Sequence, residues 1–136
     1  YPLENIYEKA GAGVVGNLPR EIPVNDFLVM LKQQMKTSCI RYTEFNRDVI
    51  SRVAVCGGSG SFLIKEAQKA GAHIFITGDV KYHDFFIPDG RMMIADIGHY
   101  ESEQFTKELI SEYLIENFPK FAVQISEHQT NPIKYL

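Results

Sequence analysis

The sequence predicts an α/β fold: a mixed, largely parallel core sheet with helices on both faces. Two observations carry that expectation. Short apolar runs at 53–56, 73–77 and 92–96 alternate with helical patterns at 62–70 and 101–118, the order that builds a parallel sheet from strand–helix–strand units. Each of those three runs also stops at glycine or polar residues, and in open α/β sheets ligands collect beyond the carboxyl ends of the strands. The chain has 136 residues, of which 45% are hydrophobic and 23% charged, enough for one domain with its own core.

Residues 1–11 read as an opening loop, since Pro2, Asn5 and Gly11 discourage regular structure. A glycine-containing strand follows at 12–18. A helix is expected at 24–36, with the apolar stripe Val24, Phe27, Leu28, Leu31 and Met35 facing the core. A short strand at 39–43 and a polar turn at 44–48 precede V-I-S-R-V-A-V-C-G-G-S-G-S. There a strand meets a glycine-rich junction at Gly58, Ser59, Gly60 and Ser61, followed by a helix. Such a junction is either a tight turn and no more, or a cradle that offers backbone N–H groups to a phosphate or carboxylate. It lacks the lysine of a Walker loop and the spacing of a dinucleotide fingerprint.

The strand at 73–77 runs into G-D-V-K-Y-H-D, placing Asp79 and His83 just beyond its end, and a short helix is expected at 81–86. The strand at 92–96 runs into D-I-G-H-Y-E-S-E, which crowds Asp96, His99, Glu101 and Glu103 into one junction. If the helix starts at His99, then His99 and Glu103 share a face one turn apart. An imidazole and a carboxylate so placed can hold one divalent ion; the same acidic residues also suit the first turn of an ordinary helix. The helix at 101–118 is expected to bury Phe105, Leu109, Ile110, Tyr113 and Leu114, with a last strand at 121–126.

Net charge is −3 and the basic residues are scattered, so a nucleic-acid surface is not indicated. No apolar run is long enough to span a bilayer. Cys39 and Cys56 form no metal-binding pair and read as reduced cysteines of a cytoplasmic protein. The chain opens on Tyr1, without an initiator methionine, and reads as a piece of a longer protein.

Four segments together, V-A-V-C-G-G-S-G-S, F-I-T-G-D-V-K-Y-H-D, D-I-G-H-Y-E-S-E and the closing T-N-P-I-K-Y-L, resemble the carboxyl-terminal half of the NIF3-like proteins, also called DUF34. That family is often labelled GTP cyclohydrolase I type 2 homologue. The resemblance runs from Gly11 onward and implies two similar α/β halves around a dinuclear metal centre in a hexameric ring. It further implies that His99 and Glu103 match the family's G-H-x-x-x-E ligands, while a His-His pair and an aspartate come from the amino-terminal half. Asp79 and His83 match residues near the cleft, where they would orient water or substrate. The implied function is a metal-dependent hydrolase acting on a small anionic or nucleotide substrate. Its two ions would be zinc, iron or manganese, and this chain alone would be an incomplete part. The alternative is a metal-containing scaffold or regulatory interaction protein without catalysis. A metal-free nucleotide-binding module ranks last, for want of a ribose-binding acid or phosphate-binding lysine.

Overall fold

The computed structural model describes residues 5–7 and 10–136. The expected opening loop lies partly outside them. Inside it, β1 (Asn5–Tyr7) and β2 (Ala10–Gly11) pair antiparallel as a small separate sheet. The main chain of the fold is then β3 (Val14–Pro23), α1 (Val24–Gln34), β4 (Arg41–Tyr42), β5 (Val49–Ser59), α2 (Ile64–Lys69), β6 (Ile74–Gly78), β7 (Met93–Asp96), α3 (His99–Glu103) and α4 (Thr106–Asn117). One 3-10 turn (Ser61–Leu63) leads into α2, and another (Tyr82–Phe86) stands where the short helix was expected.

Five strands form one sheet in the order β3-β5-β6-β7-β4. The inner pairs β5–β6 and β6–β7 are parallel, and the flanking pairs β3–β5 and β4–β7 are antiparallel. The expected mixed sheet with a parallel centre is therefore present. β3 is longer than the pattern suggested and contains Pro19. It is an edge strand whose register shifts between Asn17 and Ile22, the setting in which a strand tolerates proline.

Alternation along the central strands feeds two cores. Ile74 and Ile76 of β6, with Met93 and Ala95 of β7, meet Phe27 and Leu31 of α1 on one face. Phe75, Met92 and Ile94 meet Leu63, Ile64 and Ala67 beside α2 on the other. Side chains such as Phe75, fully buried, each contribute roughly 1.5–3 kcal/mol by leaving water.

Two expectations fail at the carboxyl end. The helix at 101–118 is two helices, and α4 does not bury its apolar side chains: Leu109, Ile110 and Tyr113 are 67%, 53% and 61% exposed. Apart from half-buried Leu114, its inward residue is Ser111. No layer among the described residues covers those side chains. The strand at 121–126 is absent; the segment is irregular, because a strand needs a hydrogen-bonding neighbour and none is beside it. The closing motif instead folds back onto α3, where Tyr100 donates to Gln129 at 2.7 Å and Asn131 donates to Glu101 at 3.3 Å. No helix among the described residues is long and apolar enough to cross a membrane.

Candidate metal centre

Parallel registry aligns the ends of three strands. Thr77 pairs with Asp96 and Ser59 with Gly78, so the loops after β5, β6 and β7 emerge side by side. α3 begins immediately beyond β7 and lies across this crest. It approaches so closely that a Cβ on Gly78 would stand 2.9 Å from the backbone of Gly98 and His99, nearer than any real side chain allows.

His99 is the centre of the site. Its Nδ1 lies 2.6 Å from Oδ2 of Asp79, and its Nε2 lies 3.3 Å from Oε2 of Glu103. A carboxylate accepts hydrogen bonds and donates none, so the short contact to Asp79 puts a proton on Nδ1. That hydrogen bond is the main reason why the imidazole's pKa is raised; burial opposes it, and the charges of Asp79 and Glu103 add to it. In the neutral ring, Nε2 then presents a lone pair to a carboxylate oxygen. Two acceptors facing each other call for a cation between them: a proton or a metal ion.

The spacing suits a metal. Two donors each about 2.1 Å from one ion at a tetrahedral angle stand about 3.4 Å apart, against the 3.3 Å observed. Asp79 bonded to the far nitrogen is the arrangement that orients metal-binding histidines and fixes their tautomer. Asp79 also has a left-handed backbone, φ 55°, an uncommon conformation for a residue other than glycine. The pair is half-exposed, leaving room for further ligands. Among the described residues, no group of three or more His, Cys, Asp or Glu side chains is placed to hold an ion. Two donors fit an ion; a complete coordination shell would need ligands from beyond them.

The glycine junction packs against Glu103. β5 continues through Gly57, Gly58 and Ser59. Gly58 (φ +63°) lies so near the carboxylate that a Cβ there would be 2.5 Å from Oε1 of Glu103. The Gly58 N–H donates to Oγ of Ser102 at 2.8 Å, and the Gly60 N–H donates to Oγ1 of Thr77 at 3.0 Å. Those two donors are thereby engaged within the protein, and Ser61 Oγ is buried without a partner. Thr77, fully buried, donates in turn to the Gly58 carbonyl at 3.0 Å. Ser102 and Thr77 were not singled out from sequence; a Ser three positions after the histidine and a Thr ending a strand give no signal without the register.

Glu101 and His83 leave the group. Glu101 is 5% exposed and faces the returning tail; the Tyr135 pKa is raised first by burial, then by the charge and hydrogen bonding of Glu101. His83 is exposed, edge-on to Tyr82 with ring centroids 5.4 Å apart, and makes no hydrogen bond or ion pair with Asp79, His99 or Glu103. Beside His99 and Glu103 opens a cleft of about 380 Å³ walled by Tyr100, Gln104, Asn131, Pro132 and Ile133.

Residues 2–132 match the family model described as Duf34/NIF3, NGG1p interacting factor 3. The chain belongs to the DUF34/NIF3 family. Proteins named GTP cyclohydrolase 1 type 2 homolog are similar to it: one from Staphylococcus epidermidis is 33% identical over 92% of this chain and 35% of its own length, and one from Bacillus subtilis is 33% identical over 100% and 38%. The chain thus spans little more than a third of the curated relatives it matches. Among solved structures, a Staphylococcus aureus protein superposes with TM-score 0.79 at 27% identity, covering 93% of this chain and 42% of that one. A Bacillus cereus protein related to NIF3 gives 0.74 at 28%, covering 93% and 36%. The DUF34/NIF3 fold is therefore that of the sheet and helices described above.

Proposed function

We propose that this chain is the part of a longer DUF34/NIF3 protein that supplies His99 and Glu103 to a divalent-metal site, and that the whole protein is a metal-dependent hydrolase. The observation that carries the reading is Nε2 of His99 facing Oε2 of Glu103 at 3.3 Å, with Nδ1 held by Asp79. A bound ion would polarise a carbonyl or phosphoryl oxygen and lower the pKa of a coordinated water. Asp79 keeps the imidazole in the tautomer that leaves Nε2 free. Gly58, lacking a side chain, gives the Glu103 carboxylate its position. The cleft with Tyr100, Pro132 and Ile133 on its wall would receive the apolar part of a substrate. The remaining ligands, and a second ion, would come from the rest of the protein; the curated relatives are more than twice the length of this chain. Zinc, iron and manganese all accept an imidazole with a carboxylate. Two free cysteines, Cys39 and Cys56, agree with a reducing, cytoplasmic setting.

A second reading keeps the metal and drops the catalysis, making the protein a scaffold for partners. The apolar side chains left open on α4, with Phe118 and Phe121 beyond it, favour it. Metal content and calorimetric titration with Zn²⁺ and Mn²⁺ test the common ground, comparing the full-length protein with its His99→Ala form. The expected result is loss of at least one ion in the variant. A full-length protein that binds neither metal would refute the site. Hydrolysis abolished by His99→Ala, with folding intact, would select the enzyme; partner binding that survives His99→Ala, without any hydrolysis, would select the scaffold.

A further inference from the structure

The crest contains one carboxylate without a part in the proposed ligand set: Asp96, at the end of β7 and 3% exposed. Its two oxygens reach in different directions. Oδ2 accepts the backbone N–H of Val80 at 2.9 Å, and Oδ1 accepts that of Gly98 at 3.0 Å. Val80 directly follows Asp79, and Gly98 directly precedes His99. A single rigid group is therefore bonded one residue away from each member of the Asp79–His99 pair. Arg41 of β4, the register partner of Asp96, donates through Nη2 to Oδ2 and also to the Val80 carbonyl at 3.0 Å. The guanidinium thus offsets the charge of a carboxylate that would be costly to bury alone, and grips the same loop.

We propose that Asp96 is a positioning residue for the metal centre, joining the loop after β6 to the start of α3 so that Asp79 meets Nδ1 of His99. The loop after β6 is where such a fixture matters most. Asp79 has a left-handed backbone (φ 55°), uncommon for a residue with a side chain, whereas Gly98 (φ 93°) turns freely as glycine and is held in place by the bond to Asp96. Strand pairing ends at Thr77–Asp96, and beyond it the N–H of Ile97 goes to the Thr77 carbonyl at 3.0 Å. Past that point, the carboxylate of Asp96 bonds to the main chain of both loops, beside the Asp79–His99 contact itself. In Asp96→Asn the amide presents one oxygen and one NH₂. With the oxygen turned to Arg41 and Val80, the NH₂ faces the Gly98 N–H, donor against donor, and the start of α3 is released.

The inference rests on the reading of His99 as a metal ligand, and two separate readouts keep the two apart. In the full-length protein, Zn²⁺ affinity is measured by calorimetry for wild type, Asp96→Asn and the fully buried core variant Ile50→Val. Crystal structures of wild type and Asp96→Asn give the His99 Nδ1 to Asp79 Oδ2 distance. The expected result is Zn²⁺ binding weakened about 10–100-fold in Asp96→Asn, the hydrogen bond to Asp79 broken with the sheet intact, and wild-type affinity in Ile50→Val despite its lower thermal midpoint. An unchanged affinity with an unchanged distance overturns the proposal, as does an equal loss of affinity in Ile50→Val. If the wild type binds no Zn²⁺, the metal reading falls; a separated Asp79–His99 pair in the Asp96→Asn crystal would still support the positioning role, and an intact pair would overturn it.

Discussion

Gly58→Ala presses one methyl group onto the carboxylate of Glu103. The backbone there has φ +63°, and the added Cβ would stand 2.5 Å from Oε1, so the oxygen must retreat to at least the ordinary 3.4 Å. Two costs follow. A left-handed backbone at a residue with a Cβ costs about 1–2 kcal/mol, and Glu103 moves off the line to Nε2 of His99. Gly71→Ala separates them: its φ is +74° and a Cβ there meets nothing within 4 Å, so it carries the backbone cost alone. Urea unfolding should show a loss of about 1–2 kcal/mol in Gly71→Ala and at least as much in Gly58→Ala. Zn²⁺ titration of the full-length protein should weaken by about tenfold or more in Gly58→Ala only, the range seen when a metal ligand loses its support. Equal stability losses with wild-type Zn²⁺ affinity in both variants would refute the argument that Gly58 sets the place of Glu103.

Other outcomes follow from the same geometry. Because Asp79 raises the His99 pKa, the metal-free protein gains stability from that contact while the imidazole is charged. The gain is complete below the unfolded-state value of about 6.5 and disappears as pH rises through the higher folded value. The stability difference between wild type and Asp79→Asn, followed by urea unfolding from pH 5 to 9, should therefore shrink with rising pH; a difference that grows would reverse the sign. Divalent-ion affinity should move the opposite way, strengthening as pH rises and the proton leaves His99, with a midpoint lowered in Asp79→Asn when titrated calorimetrically. Thr77→Val removes a buried hydroxyl that serves both the Gly58 carbonyl and the Gly60 N–H. Leaving those groups unpaired should cost about 1–3 kcal/mol in thermal or urea unfolding, and a loss below about half a kcal/mol would mean that the junction after β5 rearranges freely.

What could be read in the sequence was what periodicity encodes. The stripe of α1 and the apolar runs of β6 and β7 announced their places because burial on a helix face or in a central strand leaves a pattern in the residues themselves. The pair His99 and Glu103 was visible for the same reason, being four apart on one turn. The contact between Asp79 and His99 was not. It depends on Thr77 lying opposite Asp96, a register no local pattern states. Gly57 to Ser59 looked like a loop because glycine usually ends strands, whereas here β5 continues so that α3 can approach it. The reading failed most clearly at α4. Leu109, Ile110 and Tyr113 have the composition of a buried face, but sequence reports which residues would tolerate burial, not whether a surface is there to meet them.

α3 has only five residues, too few to persist by its own hydrogen bonds. It keeps its shape because Gly78 lets main chain rest against it, with Gly58 admitting its carboxylate. The architecture of the crest is thus set by where side chains are missing, and its chemistry by side chains that project away from those contacts. Substitution can therefore act on the two separately. A lineage or a designer can exchange His99, Glu103 or Asp79 for other polar side chains, and so change what the crest could hold, while the seat beneath them stays the same. A new side chain at Gly78 would instead remove every such option at once.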